Sequence, residues 1–109
     1  MEKYLKERNK KGVVNDKKIK GNIWFYDIGY CKTTIDKSAY KHPAIFPEKL
    51  AEDHILSWSN EGDIVFDPMA GSGTTLKMAK LNNRNFIGIE ISSEYCDIIK
   101  ERVGCEIIK

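Results

Sequence analysis

The stretch that most constrains this chain is Asp63-Ile64-Val65-Phe66-Asp67-Pro68-Met69-Ala70-Gly71-Ser72-Gly73-Thr74-Thr75. A short run of β-branched and aromatic residues, Ile64 to Phe66, ends in an acid, passes through two closely spaced glycines and opens into a segment of helix formers. That order is strand, tight turn, helix. Gly71 and Gly73 remove side-chain bulk where the backbone must turn sharply and where a polar or anionic ligand could approach a helix N-terminus. A Gly-x-Gly pair alone also occurs in plain strand-to-helix turns, so its neighbours decide the reading.

Asp67 ends its strand at the side where ligands bind in open α/β sheets, and Glu90 ends the next apolar run, Phe86-Ile87-Gly88-Ile89, 23 residues further on. An acid at that offset can accept both hydroxyls of a ribose. A triphosphate loop is excluded, because that pattern places a lysine after the last glycine and Thr74 stands there. The stretch reads as a nucleotide-type cofactor loop. The competing role for Asp67 is to cap its own turn through a side-chain oxygen.

Three motifs then converge. Asp-Pro-Met-Ala-Gly-Ser-Gly-Thr-Thr, Asp67 to Thr75, resembles the S-adenosylmethionine loop of the DNA amino-methyltransferases. His42-Pro43-Ala44-Ile45-Phe46-Pro47-Glu48-Lys49-Leu50 resembles the upstream cofactor motif of that family, and Arg84 to Glu90 with Glu94-Tyr95 resembles its following strand and helix. The likeness covers about residues 41 to 103. It implies an α/β chain with a partial Rossmann-like S-adenosylmethionine-dependent methyltransferase fold, an incomplete parallel sheet with flanking helices. A complete sheet of the family, about seven strands, cannot fit into so short a chain.

The resemblance also implies roles. The backbone of Ala70, Gly71, Ser72, Gly73 and Thr74 would close over the methionine end of S-adenosylmethionine, and Asp67, followed by Pro68, would attract its ammonium. Glu90 would accept the ribose hydroxyls and Ile91 would lie against the adenine, with His42, Phe46 and Pro47 completing the opposite wall. Thr74 serves equally well as a plain helix-start residue. Family members swing the target base out of the duplex and hold its amino group with an Asp/Asn/Ser-Pro-Pro-Tyr/Phe motif. The chain contains three prolines, Pro43, Pro47 and Pro68, none adjacent to another. No catalytic residue is therefore assigned, and the chain reads as the carboxyl half of an enzyme in which catalysis precedes target recognition and cofactor binding.

Composition sets the remaining bounds. Residues 1 to 41 carry 11 Lys/Arg against 5 Asp/Glu, and the remainder 7 against 11. The basic end, a leader closing on a target-recognition-like segment over 1–40, is where DNA would be met; a solvated leader is the plainer alternative. Residues 41–109 form the cofactor-binding part. Cys31, Cys96 and Cys105 make neither a disulfide framework nor, with two histidines, a zinc pattern. A reducing cytoplasm fits them, and no apolar run approaches the ~20 residues of a membrane span.

Along the chain, a short helix is compatible with Glu2 to Lys10, and Asn22 to Ile28 reads as an aromatic strand buried in a core, or else as a base-stacking surface. A loop over Gly29 to Lys41 precedes a helix with Pro47 at its first position and Leu50, Ala51, His54, Ile55 and Trp58 on one face, His54 half-buried. Thr74 to Leu81 forms the next helix and Asn85 to Ile89 the second strand, where Gly88 suggests close approach of a backbone or ligand. Ser92 or Ser93 caps the last helix, whose Tyr95, Ile98, Ile99 and Arg102 share a face, the stem of Arg102 covering apolar surface. Gly104 stops it, and Cys105 to Lys109 has strand character. Two strands with three helices would leave an open edge and bare apolar faces, predicting a homo-oligomer or a complementary chain that brings the catalytic half. The rival reading is a non-catalytic or vestigial oligomeric module that keeps the cofactor pocket; a small-molecule methyltransferase explains the His-Pro-Ala-x-Phe-Pro motif poorly.

Overall fold

Local signals set the element boundaries in the computed structural model, which describes residues 21–108. The compatible helix over Glu2 to Lys10 and most of the basic leader lie outside the described residues. A short 3-10 helix, Lys37–Lys41, interrupts the expected loop. Then come α1 (Glu48–Trp58), β1 (Ile64–Asp67), α2 (Thr74–Leu81), β2 (Asn85–Gly88) and α3 (Ser93–Val103).

Each boundary has a chemical cause. Pro47 takes the N-cap of α1, one position earlier than the sequence suggests, and the Glu48 N–H it leaves unserved donates to the Thr33 carbonyl at 3.1 Å. Gly73, with φ of 80°, turns the chain into α2, and Asn82 closes that helix. Ser92 caps α3 by accepting from the Tyr95 N–H, and Gly104 ends it in the left-handed region.

β1 and β2 pair in parallel, with Val65 opposite Phe86, Phe66 opposite Ile87 and Asp67 opposite Gly88. Side chains alternate across a strand, so Val65 and Phe86 share one face. They pack on Ala51 and Ile55 of α1 and Met78 and Ala79 of α2. Phe86 also reaches a second cluster built from Ala70, Leu76, Ile99 and Val103, which seats α3. The other face of the sheet, with Ile64, Phe66 and Ile87, is exposed. Parallel sheets normally bury both faces. This one is half-covered among the described residues.

Four expectations are corrected. Residues 22–28 form no strand: Phe25 is 90% exposed, and the segment lies along α1 through a Trp24–His54 ring contact at 4.6 Å and a hydrogen bond from the Tyr26 hydroxyl to Asp53 Oδ2 at 2.9 Å. Burial, then the Asp53 hydrogen bond and charge, push the Tyr26 hydroxyl up to about 12, against the pull of Lys49. The face of α1 divides: Ala51 and Ile55 turn onto α2, whereas His54 is exposed beside the Trp24 ring and Trp58 is 82% exposed. No strand forms through Ile108. The close neighbours of Gly88 are the side chains of Leu76 and Ala70 rather than a backbone.

A Cβ on Gly88 would lie 2.6 Å from Leu76 Cδ1 and 3.2 Å from Ala70 Cβ. Leu76 is packed into the second core cluster, and an alanine methyl cannot swing aside. Gly88→Val should therefore cost about 1–3 kcal/mol through overpacking, read as a lowered thermal midpoint. An unchanged midpoint would mean that the α2–β2 contact is looser than this.

Candidate cofactor site

The glycine loop is fixed by the carboxyl ends of both strands. The Ile89 N–H donates to the Asp67 carbonyl and the Ala70 N–H to the Ile89 carbonyl, each at 2.9 Å. These continue the ladder past the strands and hold the loop start beside the end of β2. Gly73 then bonds back to Ala70 at 2.8 Å, closing a tight turn. Gly71 and Gly73 have φ of 55° and 80°, a region that strains any residue with a Cβ.

Glu90 bridges the site. Its Oε2 accepts the Gly71 N–H and its Oε1 accepts the Ser92 N–H, both at 2.8 Å. The carboxylate is thus oriented by two backbone donors, one from the loop and one from the start of α3, and each oxygen keeps a further lone pair for a hydroxyl. Asp67 Oδ1 accepts the Met69 N–H at 3.0 Å, the turn-capping role weighed from sequence. That bond uses one oxygen of the carboxylate, so capping and ammonium attraction are compatible.

The upstream motif reaches the loop through His42. A Cβ on Gly71 would lie 3.1 Å from His42 Nε2, so the histidine ring occupies the space that a side chain there would need. The ring packs on Tyr95 with centroids 4.3 Å apart, and its Nδ1 accepts the Ala44 N–H at 3.0 Å, which leaves Nε2 to carry the proton of the neutral ring. Motifs separated by about thirty residues, together with the first turn of α3, thus meet at Gly71.

Other expected site residues lie apart. Pro47 is buried at the cap of α1. Phe46 lines an open cleft of about 540 Å³ with Leu50, Trp58 and Ile64, along the free side of β1, and the lining includes neither the glycines nor Glu90. Ile91 is fully exposed and Pro68 is exposed. Ser72 and Thr74 are buried and turn inward toward Arg102, whose Nη1 lies 3.0 and 3.3 Å from their hydroxyls. The stem reading of Arg102 is corrected: its side chain is 1% exposed and its guanidinium is fully engaged in ion pairs and hydrogen bonds. Its place on the Ile98-Ile99 face was the available signal, since a cation on an apolar stripe needs buried acids.

The parallel β-α-β unit, with its glycine turn and an acid ending the second strand, is a partial Rossmann-like methyltransferase fold. The chain belongs to the DNA methylase family, whose sequence model matches residues 1–101. It is 63% identical over 100 residues to the orphan methyltransferase M.BamHII of Bacillus amyloliquefaciens, covering 92% of this chain and 38% of that one. Against the type II methyltransferase M.HpaI of Haemophilus parainfluenzae, identity is 46% over 86 residues, 78% of this chain and 26% of the other. The crystal structure of the M1.HpyAVI–SAM complex superposes with a TM-score of 0.63 at 38% identity, covering 85% of this chain and 42% of that one. The chain thus spans well under half the length of these relatives. Among the described residues, no helix is long and apolar enough to cross a membrane.

Proposed function

We propose that this chain is the cofactor-binding portion of a DNA methyltransferase that acts on the exocyclic amino group of adenine or cytosine with S-adenosylmethionine. The observation that carries the reading is the meeting of His42, Glu90 and Tyr95 around Gly71, which brings the three cofactor motifs into one site. Likeness to a relative solved with S-adenosylmethionine supports it. The residues fit the cofactor: a tight glycine turn in which Gly71 and Gly73 carry no side chain, a carboxylate oriented by two N–H donors, and an apolar residue, Ile91, next in sequence. When bound, S-adenosylmethionine supplies an electrophilic methyl group on its sulfonium. Glu90 would hold the ribose hydroxyls, Asp67 the ammonium, and Ala70 to Thr74 the methionine end.

The catalytic half would come from a complementary chain with the Pro-Pro-Tyr/Phe motif. Support comes from the bare sheet face of Ile64, Phe66 and Ile87, and from the span of 38% of M.BamHII. DNA would be met through residues 1–41, where the exposed Phe25 and Ile28 are free to contact bases. The test is transfer of labelled methyl groups to DNA. The chain alone should give none, and a mixture with the amino-terminal portion of a relative such as M.BamHII should restore transfer. A mixture that forms a stable complex yet transfers nothing would overturn the reading in favour of a vestigial oligomeric module.

A further inference from the structure

Beneath the glycine loop, an ion cluster joins three parts of the chain. Arg102 Nε donates to Asp36 Oδ2 at 3.0 Å, and Nη2 donates to Glu48 Oε1 at 2.9 Å. Its remaining nitrogen, Nη1, donates to the Ser72 carbonyl at 2.6 Å. Lys77 Nζ reaches the same two carboxylates at 2.6 and 2.7 Å. Two cations and two anions therefore face one another, and the Ser72 carbonyl joins them as a fifth member from the backbone, with the Ser72, Thr74 and Thr34 hydroxyls also bonded to the cluster.

That fifth contact is what charge balance leaves unexplained. A lysine beside Lys77 would neutralise the acids equally well. A guanidinium differs in presenting its donors in one rigid plane. With Nε and Nη2 pinned by carboxylates from two elements, the direction of Nη1 is fixed, and with it the Ser72 carbonyl. Ser72 lies between Gly71 and Gly73, the two residues with most backbone freedom in the loop. A glycine turn needs external holds to keep one conformation; Glu90 supplies one at the Gly71 N–H and the cluster another at the Ser72 carbonyl.

We propose that Arg102 is a positioning residue, which, oriented by Asp36 and Glu48, sets the Gly71-Ser72-Gly73 turn in the form that receives the methionine end of S-adenosylmethionine. The assignment rests on the cofactor reading of this loop. It predicts an effect confined to one end of the ligand. General loosening of the fold would weaken binding of every part alike.

The test compares the whole chain with Arg102→Lys, which keeps the charge beside Asp36 and Glu48 but loses the planar fork. In the ligand-free proteins, the Gly73 amide should exchange about tenfold faster in the variant, while the Phe86 and Ile87 amides stay unchanged. Affinity for S-adenosylmethionine should fall about tenfold or more, the scale of a hydrogen bond to a charged group. Affinity for 5′-methylthioadenosine, which lacks the amino-acid end, should hold. Equal losses for both ligands, or faster exchange throughout, would overturn the assignment alone. Failure of the wild-type chain to bind either ligand would overturn the cofactor reading and this assignment with it. Should Arg102→Lys not fold, Asp36→Asn, which frees the Nε edge, should give the same pattern at smaller size, and absence of the pattern there would overturn the assignment.

Discussion

Arg102→Met should lower the stability of the folded chain by about 3 kcal/mol, the lower end of the range for removing one partner of a buried ion pair. Methionine keeps the apolar stem and much of the volume, so the loss isolates the charge. Asp36 and Glu48 would remain half-buried with Lys77 as their one cation among the described residues, and the Ser72 carbonyl would lose its Arg102 donor. The lower end applies because both carboxylates keep that lysine and some contact with water. For a domain of this size, such a loss is about 12–24 °C in thermal midpoint. Circular dichroism melting reads it directly. A drop of a degree or two would mean that the cluster contributes little beyond its own desolvation.

The same cluster has an acid limb. Burial alone would raise the Asp36 carboxyl, but hydrogen bonds and charge from Lys77 and Arg102 outweigh it and hold the group below its ordinary 3.8. A carboxyl lowered in the folded state stabilises the protein above its unfolded value and loses that contribution as pH falls through the folded value. Wild-type stability should thus decline below about pH 4, and the decline should be shallower in Asp36→Asn. Identical acid profiles would count against the pairing.

Glu90→Ala carries the second large effect. The carboxylate holds the Gly71 and Ser92 amides and, on the cofactor reading, two ribose hydroxyls. Losing two hydrogen bonds to a charged acceptor, at about 1.5 kcal/mol or more each, should weaken S-adenosylmethionine binding about a hundredfold or more. The fold should persist, because Glu90 lies at the edge of the core clusters rather than within them. A variant that binds as well as wild type would confine Glu90 to tying the loop to α3.

The parts of this structure that were legible in the sequence are those whose causes are local. The turn chemistry of Gly71, Gly73 and Asn82 delimits α2 at Thr74–Leu81, as read from sequence, and Ser92 and Gly104 delimit α3. The aromatic segment departs from its strand pattern because side-chain contacts to a helix, which periodicity does not encode, take the place of strand pairing. Trp24 and Tyr26 found partners on α1 instead, leaving Ile23 and Phe25 outward. Arg102 was misread for a related reason. Its partners Asp36 and Glu48 are 66 and 54 residues away, and no spacing rule links them. The motifs single out Asp67 and Glu90 as the acids that end the two apolar runs. That Glu90 would be oriented by Gly71 and Ser92 N–H groups depends on how β2 ends against the loop, a tertiary outcome.

On the cofactor reading, this chain itself holds S-adenosylmethionine. Calorimetric titration of the folded wild-type chain with S-adenosylmethionine tests it most directly. Saturable binding, lost or strongly weakened in Glu90→Ala at unchanged fold, is the result expected from the Gly71–Glu90 site. Absence of binding by a chain that melts cooperatively would contradict it and leave the family likeness without a working cofactor pocket.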